Sequence, residues 1–259
     1  MISTTTYAES LARRIFHGAG ALSLVPYRVD STAHFPVLAH GINAHGQLVV
    51  ACAAADTERM GDRTGETAVR VDGIKKSLEF DVDITVASLH ALADITWVEP
   101  GAAVEGLDVD PNPYLRFGVL KLDNVFIRGP QGTTRTSFDE LIEGKLDSRE
   151  LDARELDARE AVDRLPVWRQ SQLIDDVLGG NLPGILLADR VQPLCSSHHF
   201  RLWVADVDPR GIVLLKATDD RVTTVLVQFA ERVTTIEDLA RAVDVLAVPA
   251  SDRNASPRI

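Results

Sequence analysis

Apolar residues recur at i, i+4 and i+8 in TYAESLARRIF, at Tyr7, Leu11 and Ile15, which predicts a short helix over about Thr6 to Phe16. The glycines of HGAG, His17 to Gly20, stop it. From there to about Phe126 the pattern is strand-like: ALSLVPYRV, HFPVLAHGI, QLVVACAA, TAVRVDGI and FDVDITVASL, with a polar loop from Asp56 to Glu66. Asn43-Ala44-His45-Gly46 reads as the turn of a hairpin, because Asn and Gly supply the positive φ that tight turns need. After the loop Asp108 to Pro113, LRFGVLKLDNVFI leads through GPQG into SFDELIEG. Ser137 and Glu140 there have the spacing of a capping box, and a helix is expected to begin at that point.

A pentad repeat follows: Leu146 to Glu150, Leu151 to Glu155 and Leu156 to Glu160. A step of five residues makes the leucines spiral around a helix, which argues against a coiled-coil seam. Glu150 to Arg154, Glu155 to Arg159 and Glu160 to Arg164 are i,i+4 pairs with the acid on the N-terminal side, the favourable orientation, so a solvated helical spacer is expected. Beyond it the pattern is a helix in WRQSQLIDDVLG, three antiparallel strands (HHFRLWVADV, IVLLKA, VTTVLVQF) and a last helix capped by Thr234 with Glu237 and ending near Ala247.

With 45% hydrophobic and 25% charged residues the chain has the make-up of a globular protein, and its 259 residues allow one large or two small domains. There are 27 Lys and Arg against 38 Asp and Glu, a net charge of −11 that repels phosphate backbones, so nucleic acid is not an expected partner. No apolar run approaches the ~20 residues needed to span a bilayer, and the N-terminus lacks a signal-peptide pattern. No membrane association is therefore expected. Cys52 and Cys195 stand far apart without metal-ligand spacing, which suits a reducing, cytoplasmic setting.

GAGALS, Gly18 to Ser23, is not a dinucleotide fingerprint, since it follows a helix and precedes a strand. Phosphate-loop, nucleophile-elbow and zinc-helix motifs are lacking as well. Seven histidines remain: His17, His34, His40, His45, His90, His198 and His199. His34 and His40 share strand parity but lie roughly 20 Å apart, too far to ligate one ion, and read as surface or edge residues. His198 and His199 open a strand and point to opposite faces, so at most one of them can be an axial iron ligand. Arg59, Arg63, Arg70, Lys75 and Lys76 form a basic group in and after the polar loop, either a solvated surface or a hold for a phosphate or propionate.

ARRIFHGAGALSLVPYRV, VRVDGIKKSLEFDVDITVASLHALADITWV, LRFGVLKLDNVFIRGPQGTTRTSFDEL and RVQPLCSSHHFRLWV…VLVQFAERVTTIEDLARAVDVL together resemble the haem-iron-utilisation family related to pyridoxamine-phosphate oxidases, of the actinobacterial type. The resemblance covers roughly residues 8 to 248. It implies an α+β chain: an N-terminal split β-barrel of the FMN-binding type, normally a homodimer, then a small α/β domain with three antiparallel strands flanked by helices. The expected division is 1–144 for the barrel, 145–250 for the helical spacer and small domain, and 251–259 for a disordered tail.

Flavin-binding and haem-degrading members carry a Ser-x-Leu-Ala-x-His-Thr-type segment where this chain has Ala51-Cys52-Ala53-Ala54-Ala55-Asp56-Thr57, so FMN is disfavoured and no catalytic residue carries over. The resemblance implies a small-molecule ligand, haem, in iron metabolism. His198 or His199 is then the candidate metal ligand, and Arg59, Arg63, Arg70 and Lys75 are candidate cofactor-binding residues. Three readings stand: a haem-binding protein with or without haem-degrading activity, a non-catalytic dimeric binding or regulatory protein on a degenerate barrel, and an FMN-dependent oxidoreductase.

Overall fold

The computed structural model describes residues 4–60, 66–143, 148–191 and 200–248. Among them the chain divides into two compact units, one within Met1–Lys75 and Ala87–Leu146, the other within Lys76–Val86 and Asp147–Ile259.

The first unit opens with α1 (Thr4–Arg14), continued by a π-helical turn over Ile15–Ala19. Tyr7, Leu11 and Ile15 are all buried, as their spacing predicts. The helix ends where Gly18 takes φ 104°, a left-handed value open to glycine. The strands β1 (Ala21–Val25), β2 (Phe35–Ile42), β3 (Leu48–Ala53), β4 (Glu66–Lys76), β5 (Thr85–Trp97), β6 (Leu115–Gly129) and β7 (Gly132–Ser137) form one sheet in the order β3-β2-β1-β4-β5-β6-β7. β3 also pairs with β6, Leu48 opposite Leu120 and Ala53 opposite Leu115, and this pairing closes six strands into an antiparallel barrel. Alternation fills the interior. Val69 and Val71 of β4, Leu89 and Ile95 of β5, and Leu120, Val125 and Ile127 of β6 are buried, each worth about 1.5–3 kcal/mol when a large aliphatic side chain leaves water.

The hairpin turn forms as its sequence predicts, with Asn43 Oδ1 accepting from the amides of His45 (3.0 Å) and Gln47 (2.9 Å). A single helical turn, α2 (Ala54–Thr57), follows β3 and overlaps the start of the expected polar loop. The capping box opens α3 (Phe138–Glu143): the Glu140 amide donates to Ser137 Oγ at 3.2 Å and the Ser137 amide to Glu140 Oε2 at 3.4 Å. Phe138 then meets Phe16 edge-on, ring centroids 5.2 Å apart.

In the second unit α4 (Arg149–Ala153), α5 (Glu155–Asp163) and α6 (Val167–Leu178) precede β8 (Gly184–Val191), β9 (Leu202–Asp208), β10 (Gly211–Ala217) and β11 (Arg221–Gln228), and α7 (Ile236–Ala247) ends it. The sheet is antiparallel with order β8-β11-β10-β9, four strands where the sequence predicts three. The added strand, β8, lies at an edge with Leu187 its one buried residue, so burial imposes little alternation on GILLADRV. Leu173, Ile174, Val204, Ile212, Leu214, Val225, Leu239 and Val243 belong to the core that the helices make with this sheet.

The repeat is not the solvated spacer expected of it. Its helix breaks at Arg154 (φ −118°, ψ 43°), and Leu151, Ala158, Ala161 and Val162 enter the core while Leu156 is exposed. Arg154 does lie 3.6 Å from Glu150, whose Oε1 also accepts from the Ile236 amide at 3.1 Å. Arg159 instead bonds Asp163 at 2.9 Å and Glu79, which also accepts from the Val204 amide at 2.9 Å. The cap of α7 is Thr235, one residue beyond the expected Thr234: its hydroxyl accepts from the Asp238 amide at 3.1 Å. The expected tail, 251–259, lies outside the described residues.

Candidate functional site

A groove of about 770 Å³ lies on the outer face of the barrel, within the range of about 300–1,000 Å³ that suits small molecules and cofactors. The ladder places its residues in rungs across neighbouring strands. Pro36 opposes Ser23 and Ser23 opposes Asp72, while Ala21 opposes Ile74. Ser88 and His90 of β5 and His34, just before β2, complete the polar positions, with Pro36 and Ile74 adding apolar surface. Small side chains at Ala21, Ser23 and Ser88 leave the depression open. A Cβ on Gly73 would lie 2.8 Å from both Leu22 Cδ2 and Leu89 Cδ1, so the close approach of these leucines requires glycine.

Two side-chain arrangements define the chemistry of the groove. Arg70 and Asp72 have the same strand parity, and the guanidinium grips the carboxylate in a fork: Nε donates to Oδ1 at 2.8 Å and Nη2 to Oδ2 at 2.7 Å. Hydrogen bonding to Asp72 pushes the Arg70 pKa above its ordinary value. The second arrangement is aromatic. His90 opposes Phe126 across β5 and β6, and their rings stack with centroids 5.1 Å apart and planes 7° from parallel. Arg135, opposite Phe126 on β7, lies 5.8 Å from the centre of that ring, so the three residues make a row across three strands.

Of the site residues expected from sequence, the structure brings Arg70 to the groove. Lys75 has the opposite strand parity from Arg70, Asp72 and Ile74; it is buried, and its Nζ donates to the Ala19 carbonyl at 3.4 Å. Arg59 sits after α2 with a side chain 70% exposed, 3.7 Å from Asp56 and 5.2 Å from the centre of the Phe35 ring. Lys76, in the second unit, bonds Asp83 at 2.7 Å. Arg63, His198 and His199 lie outside the described residues.

The expected shared parity of His34 and His40 is broken by a register shift between Val37 and Ala39. His34 consequently lines the groove, whereas His40 is part-buried against the Ile15 carbonyl, 2.7 Å from its Nε2. Burial pushes the Cys52 thiol up to about 12, so it stays protonated and unreactive. Among the described residues no group of three or more His, Cys, Asp or Glu could hold a metal ion, and no helix is long and apolar enough to cross a membrane.

Sequence reasoning missed His90, Asp72, Ser23 and Ser88 as groove residues. A signal was present in the strands. The outward positions of β1, β4 and β5 read Ala-Ser, Arg-Asp-Ile and Ser-His, small or polar at every second place except Ile74.

No protein-family model matches the chain, and no curated protein matches it in sequence. Among solved structures, a heme binding protein from Mycobacterium smegmatis is 14% identical, with a TM-score of 0.43 over 97% of this chain and 99% of its own. The protein Atu2129 from Agrobacterium tumefaciens, of unknown function, is 18% identical, with a TM-score of 0.32 over 92% of this chain and 94% of its own. Both scores are too low to transfer a fold or a ligand.

Proposed function

We propose that this chain is a haem-binding protein and that the outer groove of the barrel is the haem site. The observation that carries the reading is the coincidence, in one groove of about 770 Å³, of apolar walls with two imidazoles, His34 and His90. Haem needs these two things from a protein, an apolar slot for the porphyrin and a nitrogen ligand for the iron. His90 is the stronger candidate ligand, because its stacking on Phe126 holds the imidazole plane and fixes its orientation before any ligand arrives. Bound haem would supply a redox-active iron. The chain's own groove residues exclude water from the porphyrin and set its position. His198 and His199, the ligands the family resemblance implies, are the competing candidates to His90, and a homodimer is proposed as the assembly that binds.

A haem titration followed by visible absorption tests the reading. The protein should give a saturable Soret band at one haem per chain. His90→Ala should shift or abolish it, while His34→Ala, His198→Ala and His199→Ala, made singly, should leave it in place. Ser23→Trp, which fills the groove from β1, should remove binding without altering the far-ultraviolet dichroism. No saturable band, or an unchanged band in Ser23→Trp, would overturn the haem reading.

A further inference from the structure

The groove carries an ion pair whose effect runs against the simplest expectation for a haem site. A carboxylate-bearing ligand would be held by a guanidinium, yet the guanidinium here, Arg70, already spends two of its nitrogens on Asp72, at 2.8 and 2.7 Å. Both side chains are about two-thirds shielded from solvent, at 36% and 28% exposure, so their charges are felt in the groove and largely cancel there. A ligand carboxylate approaching Arg70 meets the Asp72 carboxylate beside it.

We propose that Asp72 is the specificity-determining residue of the groove: by neutralising Arg70 it makes the site select a flat apolar ligand irrespective of the ligand's carboxylates. The inference rests on the groove being the ligand site. It assigns Asp72 a role that a merely structural strand residue would not have. Removing the negative charge turns the groove into an anion reader, and removing the positive charge turns it into an anion excluder. The two substitutions therefore act with opposite signs.

The test compares iron protoporphyrin with its dimethyl ester, which has the same ring and no carboxylates, by absorption titration against the full chain. The original protein should bind the two within about threefold. Asp72→Asn, which keeps an acceptor for Arg70, should favour the free acid by about tenfold, and Arg70→Gln should favour the ester by about tenfold, as expected for one unit charge at partly screened contact distance. A tenfold preference for the acid in the original protein, or a preference that neither variant moves, would overturn the inference.

If neither porphyrin binds, the haem reading falls while the charge argument is still measured. Neutral phenylnaphthylamine and anionic anilinonaphthalene sulfonate, followed by the fluorescence that Ser23→Trp abolishes, make the same comparison. The same opposite shifts in the two variants would support the role of Asp72, and their absence would overturn it.

Discussion

His40 is a part-buried imidazole of the barrel, and its bond fixes its tautomer. The Ile15 carbonyl can only accept, so Nε2 at 2.7 Å must carry the hydrogen. The bond ties β2 to the π-helical turn that follows α1. Burial lowers the His40 pKa below its ordinary 6.5, outweighing the opposite effect of the Ile15 bond. With the folded pKa depressed, the unfolded chain takes up the proton first as pH falls. The stability His40 contributes is therefore fully present above about pH 6.5 and is lost progressively below it, until the folded pKa is passed. Urea unfolding midpoints measured between pH 7.5 and 5 should fall for the original protein. His40→Gln, which can donate to Ile15 without titrating, should fall less steeply over the same range, and parallel curves would remove His40 from the account.

At the level of elements, the start of α7 distinguishes two adjacent threonines that sequence alone cannot separate. Thr234 has Glu237 three residues on and Thr235 has Asp238, so either fits an N-terminal signature. The structure selects Thr235, whose hydroxyl accepts from the Asp238 amide, while Glu150 from α4 accepts from the Ile236 amide. Thr235→Ala should cost about 1 kcal/mol in thermal unfolding and Thr234→Ala close to nothing. The reverse order would place the cap one residue earlier. The same distinction between local and remote information explains what was legible elsewhere. The α1 stripe, the Asn43 turn and the Ser137 box are contained within a few residues, and each forms as read. β8 was not legible because an edge strand need not alternate, and the His34–His40 parity failed because a bulge is set by the partner strand. The groove needed most that sequence omits: its polar positions alternate visibly in β4, but pairing across β2, β1, β4 and β5 brings them together.

For the molecule as a whole, the proposed homodimer must form between two chains that each carry a net charge of −11. Like charges of that size oppose association at low ionic strength, and salt screens them over a Debye length of about 10 Å at 0.1 M. The barrel strands also expose large apolar side chains, Leu38 of β2 at 59% and Leu92 of β5 at 61%, which a second copy could cover. An interface built on such residues gains when charge repulsion is screened, whereas one built on ion pairs weakens. Sedimentation at micromolar concentration should therefore give twice the 28.2 kDa chain mass, with a larger dimer fraction at 300 mM than at 20 mM salt. A dimer that dissociates as salt rises would assign the interface to complementary charges, and a monomer at both salt concentrations would leave each barrel to bind its ligand alone.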